Sequence, residues 1–196
     1  MPAKIIYIFR HGQTDYNVQR RVMGHVDIPL NETGIAQANE LANALATKSI
    51  QAIYSSPLSR ARQTAQIVAD KTAVNIILDN GLIERNTGRL TGHVVTMTDN
   101  PAEYQTDFRR RHLCMPSELL NNPNWCPNGG ESRSDCFRRA KQTIMNIVKK
   151  TPFDTIAIST HGGVMGCILD LVGGSNARLG NCDYIKLTFD GHKLQR

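Results

Sequence analysis

Two of the six histidines in the 196-residue chain, His11 and His161, stand in the same local setting. Each closes a short apolar run and is followed at once by glycine, in Arg10-His11-Gly12 and in Thr160-His161-Gly162-Gly163. A neutral imidazole nitrogen can attack phosphorus, and the planar fork of an arginine matches phosphate oxygens. Arg10 beside His11 therefore has the makings of a phosphate site. A third apolar run, Ala52-Ile53-Tyr54-Ser55, leads through Ser56-Pro57 into a helical pattern whose first turn carries Arg60. A strand-end histidine taken alone is as readily a solvated residue as a nucleophile. The three positions gain weight only if one architecture gathers them.

Periodicity supplies that architecture. The runs at 4–9, 52–55, 74–78 and 155–159 read as buried strands, and 184–189 as a last strand of weaker alternation. Helical spacing recurs over about 33–47, 57–70, 132–149 and 163–172, the last ended by Gly173-Gly174. Ser56-Pro57 reads as a helix start, with Ser as cap and Pro at the first position. Residues 12–32 have no period and read as a loop holding Asn17 and Arg20-Arg21. The order predicts one α/β domain over 1–196: a three-layer α/β/α sandwich with a mainly parallel sheet. From about 86 to 130 the pattern breaks up. That stretch is expected to be a short cap insertion over one end of the sheet, with a short helix over 101–111 and Trp125 as a lid anchor. In a parallel sheet the residues just past the strand ends open on one edge, where ligands collect. His11, Arg60 and His161 all belong there, and helix N-termini at that edge favour an anion.

Composition narrows the class. Hydrophobic residues make up 40% and charged residues 20%, as in ordinary soluble globular proteins. No apolar run approaches membrane-spanning length, so no membrane association is expected. The first strand begins almost at the N-terminus, which leaves no room for a signal peptide. Five cysteines without a C-x-x-C pair argue against a disulfide framework and against a thiolate zinc site. Together these features point to the cytoplasm. The net charge of +6 can attract phosphorylated molecules, and no nucleic-acid motif accompanies it. The histidines have no metal-ligand spacing, so no metal and no cofactor are implied.

The three segments that carry this chemistry also resemble a known family. Arg10-His11-Gly12-Gln13-Thr14 with Asn17, Ser55 to Ala65 (SSPLSRARQTA) and Thr160-His161-Gly162-Gly163 are similar to the histidine phosphatase superfamily. The branch is the one shared by cofactor-dependent phosphoglycerate mutases and related phosphatases, whose G-E-S signature is matched by Gly130-Glu131-Ser132. The resemblance spans nearly the whole chain and implies roles. His11 would be the nucleophile. Arg10, Arg60 and His161 would surround the phosphoryl oxygens, with Asn17 and Gly162 as further phosphate contacts. Glu84, after the third strand, would be the general acid that protonates the leaving alkoxide and later activates water. The implied partner is a small phosphorylated metabolite, and a homodimer remains open. Glu84-Arg85-x-x-Gly88-x-Leu90-x-Gly92 and the run Arg109-Arg110-Arg111 look mutase-like, the run as a holder for a second anionic group. Thr87 in place of a mutase tyrosine, and a short insertion, favour phosphomonoester hydrolysis, with phosphoglycerate mutase as the alternative.

Overall fold

In a computed structural model, residues 3–174 and 179–196 are described. The chain runs β1 (Lys4–Arg10), α1 (Asp15–Val18), α2 (Glu32–Leu45), β2 (Ala52–Ser55), α3 (Ser59–Thr72) and β3 (Asn75–Leu78). It continues with β4 (Val94–Thr98), β5 (His112–Pro116), α4 (Ser117–Asn121), α5 (Arg133–Lys150), β6 (Thr155–Thr160), α6 (Gly162–Leu171), β7 (Tyr184–Phe189) and β8 (Leu194–Gln195). Six strands form one sheet in the order β3-β2-β6-β1-β7-β8. The first four are mutually parallel, β7 is antiparallel to β1, and β8 is antiparallel to β7.

Alternation along the strands builds the three layers. Ile6 and Ile8 of β1, with Ile156 and Ile158 of β6, face Ala140, Ile144 and Val148 of α5 and Val164 and Ile168 of α6. Tyr7 and Phe9, with Ile53 and Ala157, face Leu41 and Leu45 of α2 and Ala65 and Val68 of α3. Each large apolar side chain buried this way contributes about 1.5–3 kcal/mol. A one-residue slip of β1 would exchange the two faces, so its register is firmly held.

Several local expectations are corrected. The helix expected from residue 57 begins at Ser59. Ser56 does not cap it in the usual way: its hydroxyl takes the Leu58 N–H at 3.3 Å and also meets His161. The loop 12–32 contains the short helix α1, started by a capping box in which Thr14 and Asn17 satisfy each other's backbone. Residues 101–111 are not a helix. They hold one short turn, Pro101–Glu103, after which the chain extends and pairs Gln105 with Cys114. The insertion also has its own two-stranded sheet, β4-β5, parallel and unforeseen. Its small core of Leu90, Leu113 and Met115 packs against Trp125, Val22 and Phe108. Among the described residues no helix is long and apolar enough to cross a membrane.

Candidate active site

The β1–β6 register assembles the centre. Arg10 pairs with Thr160, so the next residue on each strand, His11 and His161, emerge side by side with ring centroids 5.2 Å apart. Gly12 then lets the chain turn under α2, where a Cβ would collide with the carbonyl of Gly34. Its N–H is taken by Thr64 of α3 at 3.0 Å. On the other side of β6, Ser56 follows β2 and places its Oγ 2.8 Å from His161 Nε2.

Tautomers follow from these bonds. His11 Nδ1 lies 2.7 Å from the carbonyl oxygen of Gly12, which can only accept. Nδ1 therefore carries the proton, and Nε2 keeps its lone pair. Burial, then the charge of Arg60, pull the His11 pKa down to about 3; the Gly12 bond opposes the shift and Arg10 adds to it. The ring is thus neutral at ordinary pH. His161 is also pushed well below the usual histidine range, first by burial and then by His11, Arg60 and Arg10. The Ser56 oxygen already accepts the Leu58 N–H and its hydrogen has no other acceptor among the described residues, so the hydroxyl donates to His161 Nε2 and the His161 proton is assigned to Nδ1.

Three buried nitrogens have no hydrogen-bond partner among the described residues: Arg10 Nε, Arg60 Nε and His161 Nδ1. All three are donors. Leaving a buried donor unpaired costs about 1–3 kcal/mol, and three in one cluster mark a place built for acceptor oxygens. The arginines are aimed by carbonyls. Arg60, fully buried, donates to Val26 O at 2.8 Å and Gly24 O at 2.9 Å, and Arg10 donates to Leu179 O at 2.8 Å. Neither makes a salt bridge among the described residues. Gly162 leaves room beside Arg10, since a Cβ there would stand 3.5 Å from Arg10 Nε.

Glu84 sits at the rim. Its two carboxylate oxygens take the N–H of Arg85 at 2.7 Å and of Gly163, in the first turn of α6, at 3.0 Å. Its backbone is fixed from behind. His25 Nε2 donates to Glu84 O at 2.7 Å. Arg139 donates to the carbonyls of Gly81 and Ile83 while gripping both oxygens of Glu131, at 2.9 and 2.7 Å. The glutamate of Gly130-Glu131-Ser132 thus acts on Glu84 through Arg139. Asn17 combines two tasks. Its Oδ1 caps α1 through Thr14, and its Nδ2 has no hydrogen bond among the described residues and can serve an anion.

Arg10, His11, Glu84 and Gly162 line one cavity of about 690 Å³, with Val22, Met23 and Met165. Among the described residues none from 86–130 lines it. The insertion stands behind one wall of the cavity: Val22, which lines it, packs against Leu90, Leu113 and Met115 and pairs its backbone with Gly92 and His93. Arg109, Arg110 and Arg111 open instead on a separate cavity of about 370 Å³, with Arg21 and His93. Arg109 is tied to Asp107 and Arg111 to Gln19. Sequence reasoning missed Ser56 as the partner of His161. It also missed Asn181, whose Nδ2 donates to His11 O at 3.0 Å and to Asn17 Oδ1 at 3.3 Å. The Ser-Pro pair was visible but read as a cap. Asn181 precedes an antiparallel strand whose place beside β1 no spacing reveals.

A parallel sheet that offers a buried neutral histidine and unpaired cationic donors at its carboxyl edge belongs to the phosphoryl-transfer proteins. More narrowly, the chain is a member of the histidine phosphatase superfamily (branch 1), which residues 6–195 match. A phosphohistidine mechanism is general to that superfamily. The chain is 34% identical to phosphoglycerate mutase-like protein 4 of Arabidopsis thaliana, over 82% of this chain and 67% of that one. It is 31% identical to a probable phosphoglycerate mutase, GpmB, of Enterobacter sp. (strain 638), over 94% of this chain and 84% of that one. Its fold matches a mycobacterial glucosyl-3-phosphoglycerate phosphatase solved with VO3, with TM-score 0.76, 26% identity, and coverage of 98% of this chain and 95% of that one.

Proposed function

We propose that the chain hydrolyses phosphomonoesters of small metabolites in two steps, through a phosphohistidine on His11. The observation that carries this reading is the unprotonated His11 Nε2 amid three buried donors without partners. In the first step the Nε2 lone pair attacks phosphorus and the bond from phosphorus to the ester oxygen breaks. Arg10, Arg60, His161 Nδ1 and Asn17 hold the equatorial oxygens, where charge develops. Glu84 gives its proton to the departing alkoxide. In the second step Glu84 takes a proton from water, the water oxygen attacks phosphorus, and the P–N bond breaks to release inorganic phosphate. Gly162 leaves room for the phosphoryl group beside Arg10.

Hydrolysis is favoured over mutase action by access. His11, Arg60 and His161 are buried, but Glu84 is half-buried beside exposed Gly163 and no part of 86–130 lines the cavity, so water reaches the Glu84 side. A mutase must keep water off the phosphoenzyme. Thr87, which stands where mutases carry a tyrosine, is buried and spends its hydroxyl on Thr91 at 2.8 Å. The mutase reading keeps the support of the two mutase-like relatives. ³¹P NMR on 3-phosphoglycerate, with and without 2,3-bisphosphoglycerate, separates the two: inorganic phosphate is expected, and 2-phosphoglycerate without phosphate release would overturn hydrolysis. For the nucleophile, His11→Ala should lose p-nitrophenyl phosphate turnover by at least ~10³-fold with the fold intact. An unchanged rate would remove His11 from that role.

A further inference from the structure

Two free thiols meet behind the catalytic edge. Cys136 of α5 and Cys167 of α6 stand with their sulfurs 3.9 Å apart. Both line a cavity of about 740 Å³ that shares Gly162, Gly163 and Gly166 with the catalytic one. They differ in access. Cys136 is buried in the core cluster that holds Ala140, Ile144, Val164 and Ile168. Cys167 is half-buried. A Cβ on neighbouring Gly166 would meet nothing within 4 Å, so the surface beside Cys167 is open. They differ in acidity too. The hydrogen bond between the sulfurs is the largest influence on each: it pushes the Cys136 thiol up, with burial adding to the shift, and draws Cys167 down against burial and the charges of Glu84 and Asp170. The thiolate is the reactive form, so the accessible member of the pair is also the readier nucleophile. A reachable, more acidic thiol beside a resolving partner is the layout of a redox-sensing pair.

The pair lies between the two supports of Glu84. Gly163, whose N–H holds the Glu84 carboxylate, is one turn before Cys167 on α6. Arg139, which donates to the carbonyls of Gly81 and Ile83, is one turn after Cys136 on α5, and its Nη2 lies 3.6 Å from the Cys136 sulfur. Bonded sulfurs stand about 2.05 Å apart, so joining this pair draws them together by about 2 Å from 3.9 Å. Core packing around Cys136 leaves little slack, and the facing turns of α5 and α6 must take up the movement. We propose that a hydroperoxide joins Cys136 and Cys167 in a reversible disulfide, which shifts Gly163 and Arg139 against Glu84 and so switches off proton donation to the leaving group. The effect on turnover rests on the hydrolytic reading above; the disulfide does not. The chemistry balances. The Cys167 thiolate attacks one oxygen of hydrogen peroxide, the O–O bond breaks, and hydroxide leaves. The Cys136 thiol gives up its proton and its sulfur attacks the resulting sulfenic acid. The S–S bond forms, the S–O bond breaks, and the second oxygen leaves as water. The two thiols are oxidised by two electrons together, and one peroxide is reduced to two waters.

The test treats the reduced chain with hydrogen peroxide at a dose that oxidises exposed Cys126, then maps the thiols by alkylation and mass spectrometry. A peptide pair joined through Cys136 and Cys167 and parted by dithiothreitol is expected, and neither Cys167→Ser nor Cys136→Ala should form it. Cross-linking should lower turnover of alkyl phosphates at least ~10-fold and of p-nitrophenyl phosphate less, and dithiothreitol should restore both. Peroxide should leave Cys167→Ser at its untreated rate. No cross-link at that dose, unchanged turnover in the cross-linked chain, or the same loss in Cys167→Ser would overturn the switch. Equal losses on the two substrates would overturn its route through Glu84. If the reduced chain hydrolyses no phosphomonoester, hydrolysis fails on its own account. The switch is then judged by hydrogen exchange at the two amides bonded to Glu84, those of Arg85 and Gly163. Both should exchange faster in the cross-linked chain, and unchanged exchange would overturn the proposal.

Discussion

His11 makes stability depend on pH in a way that can be worked out from its surroundings. In the folded chain its pKa is held at about 3, by burial first and by Arg60 next. In the unfolded chain it should be about 6.5. Between those values the unfolded state binds a proton that the folded state refuses. Stability is therefore complete above about pH 6.5 and is lost as pH falls toward 3. At pH 5 the loss is RT ln(1 + 10^1.5), about 2 kcal/mol, a large part of the ~5–15 kcal/mol that holds a domain together. Urea unfolding at pH 7.5 and pH 5.0 in phosphate-free buffer measures it, on the wild type and on His11→Asn. The drop in unfolding free energy between the two pH values should be about 2 kcal/mol larger in the wild type. Inorganic phosphate should shrink the gap, because an anion beside the ring favours its protonated form. Equal pH dependence in both proteins would refute the idea that His11 is held neutral.

Two further substitutions probe the donors and the acid. Arg60→Lys keeps the charge but loses the planar fork whose two end nitrogens reach Val26 O and Gly24 O while Nε stays unpaired; kcat/KM should fall ~10²–10³-fold, and thermal unfolding should report a loss of about 1–3 kcal/mol. An unchanged kcat/KM would take Arg60 out of the phosphoryl site. In Gly163→Ala the new Cβ collides with Glu84 Oε1, so turnover of alkyl phosphates should fall by ~10²-fold while p-nitrophenyl phosphate, whose leaving group needs little protonation, loses far less. Equal losses on the two substrates would separate Glu84 from proton donation.

Much of this was legible because two periodicities rarely mislead. Buried runs at 4–9, 52–55 and 155–159 and helical spacing over α2, α3 and α5 forced a parallel sheet. A parallel sheet in turn fixes the edge at which His11, Arg60 and His161 appear. The register that sets the two histidines side by side was not legible, because it depends on which residues of β1 and β6 pair. The insertion was misread for a different reason. Its β4-β5 pair is held by a three-residue core of Leu90, Leu113 and Met115, too small to impose a pattern on the sequence. The run Arg109-Arg110-Arg111 was weighed by charge alone, and charge does not say which cavity a loop faces.

The manner in which the buried arginines are held bears on what the site can bind. A fully buried guanidinium is usually paired with a carboxylate, because an uncompensated buried charge is costly. Arg60 is instead braced by the carbonyls of Gly24 and Val26, and Arg10 by that of Leu179. Carbonyl dipoles fix the planes of the two forks without neutralising them. A resident carboxylate would have to be displaced by every incoming phosphate, and its release would offset much of the anion's binding. With carbonyls as braces, the two positive charges and the unpaired Nε donors remain available. The same choice adds to what burial does to the histidines: burial lowers both pKa values most, and Arg60 and Arg10, with their charge intact, lower them further. A carboxylate against Arg60 would therefore raise the His11 pKa and weaken phosphate binding together.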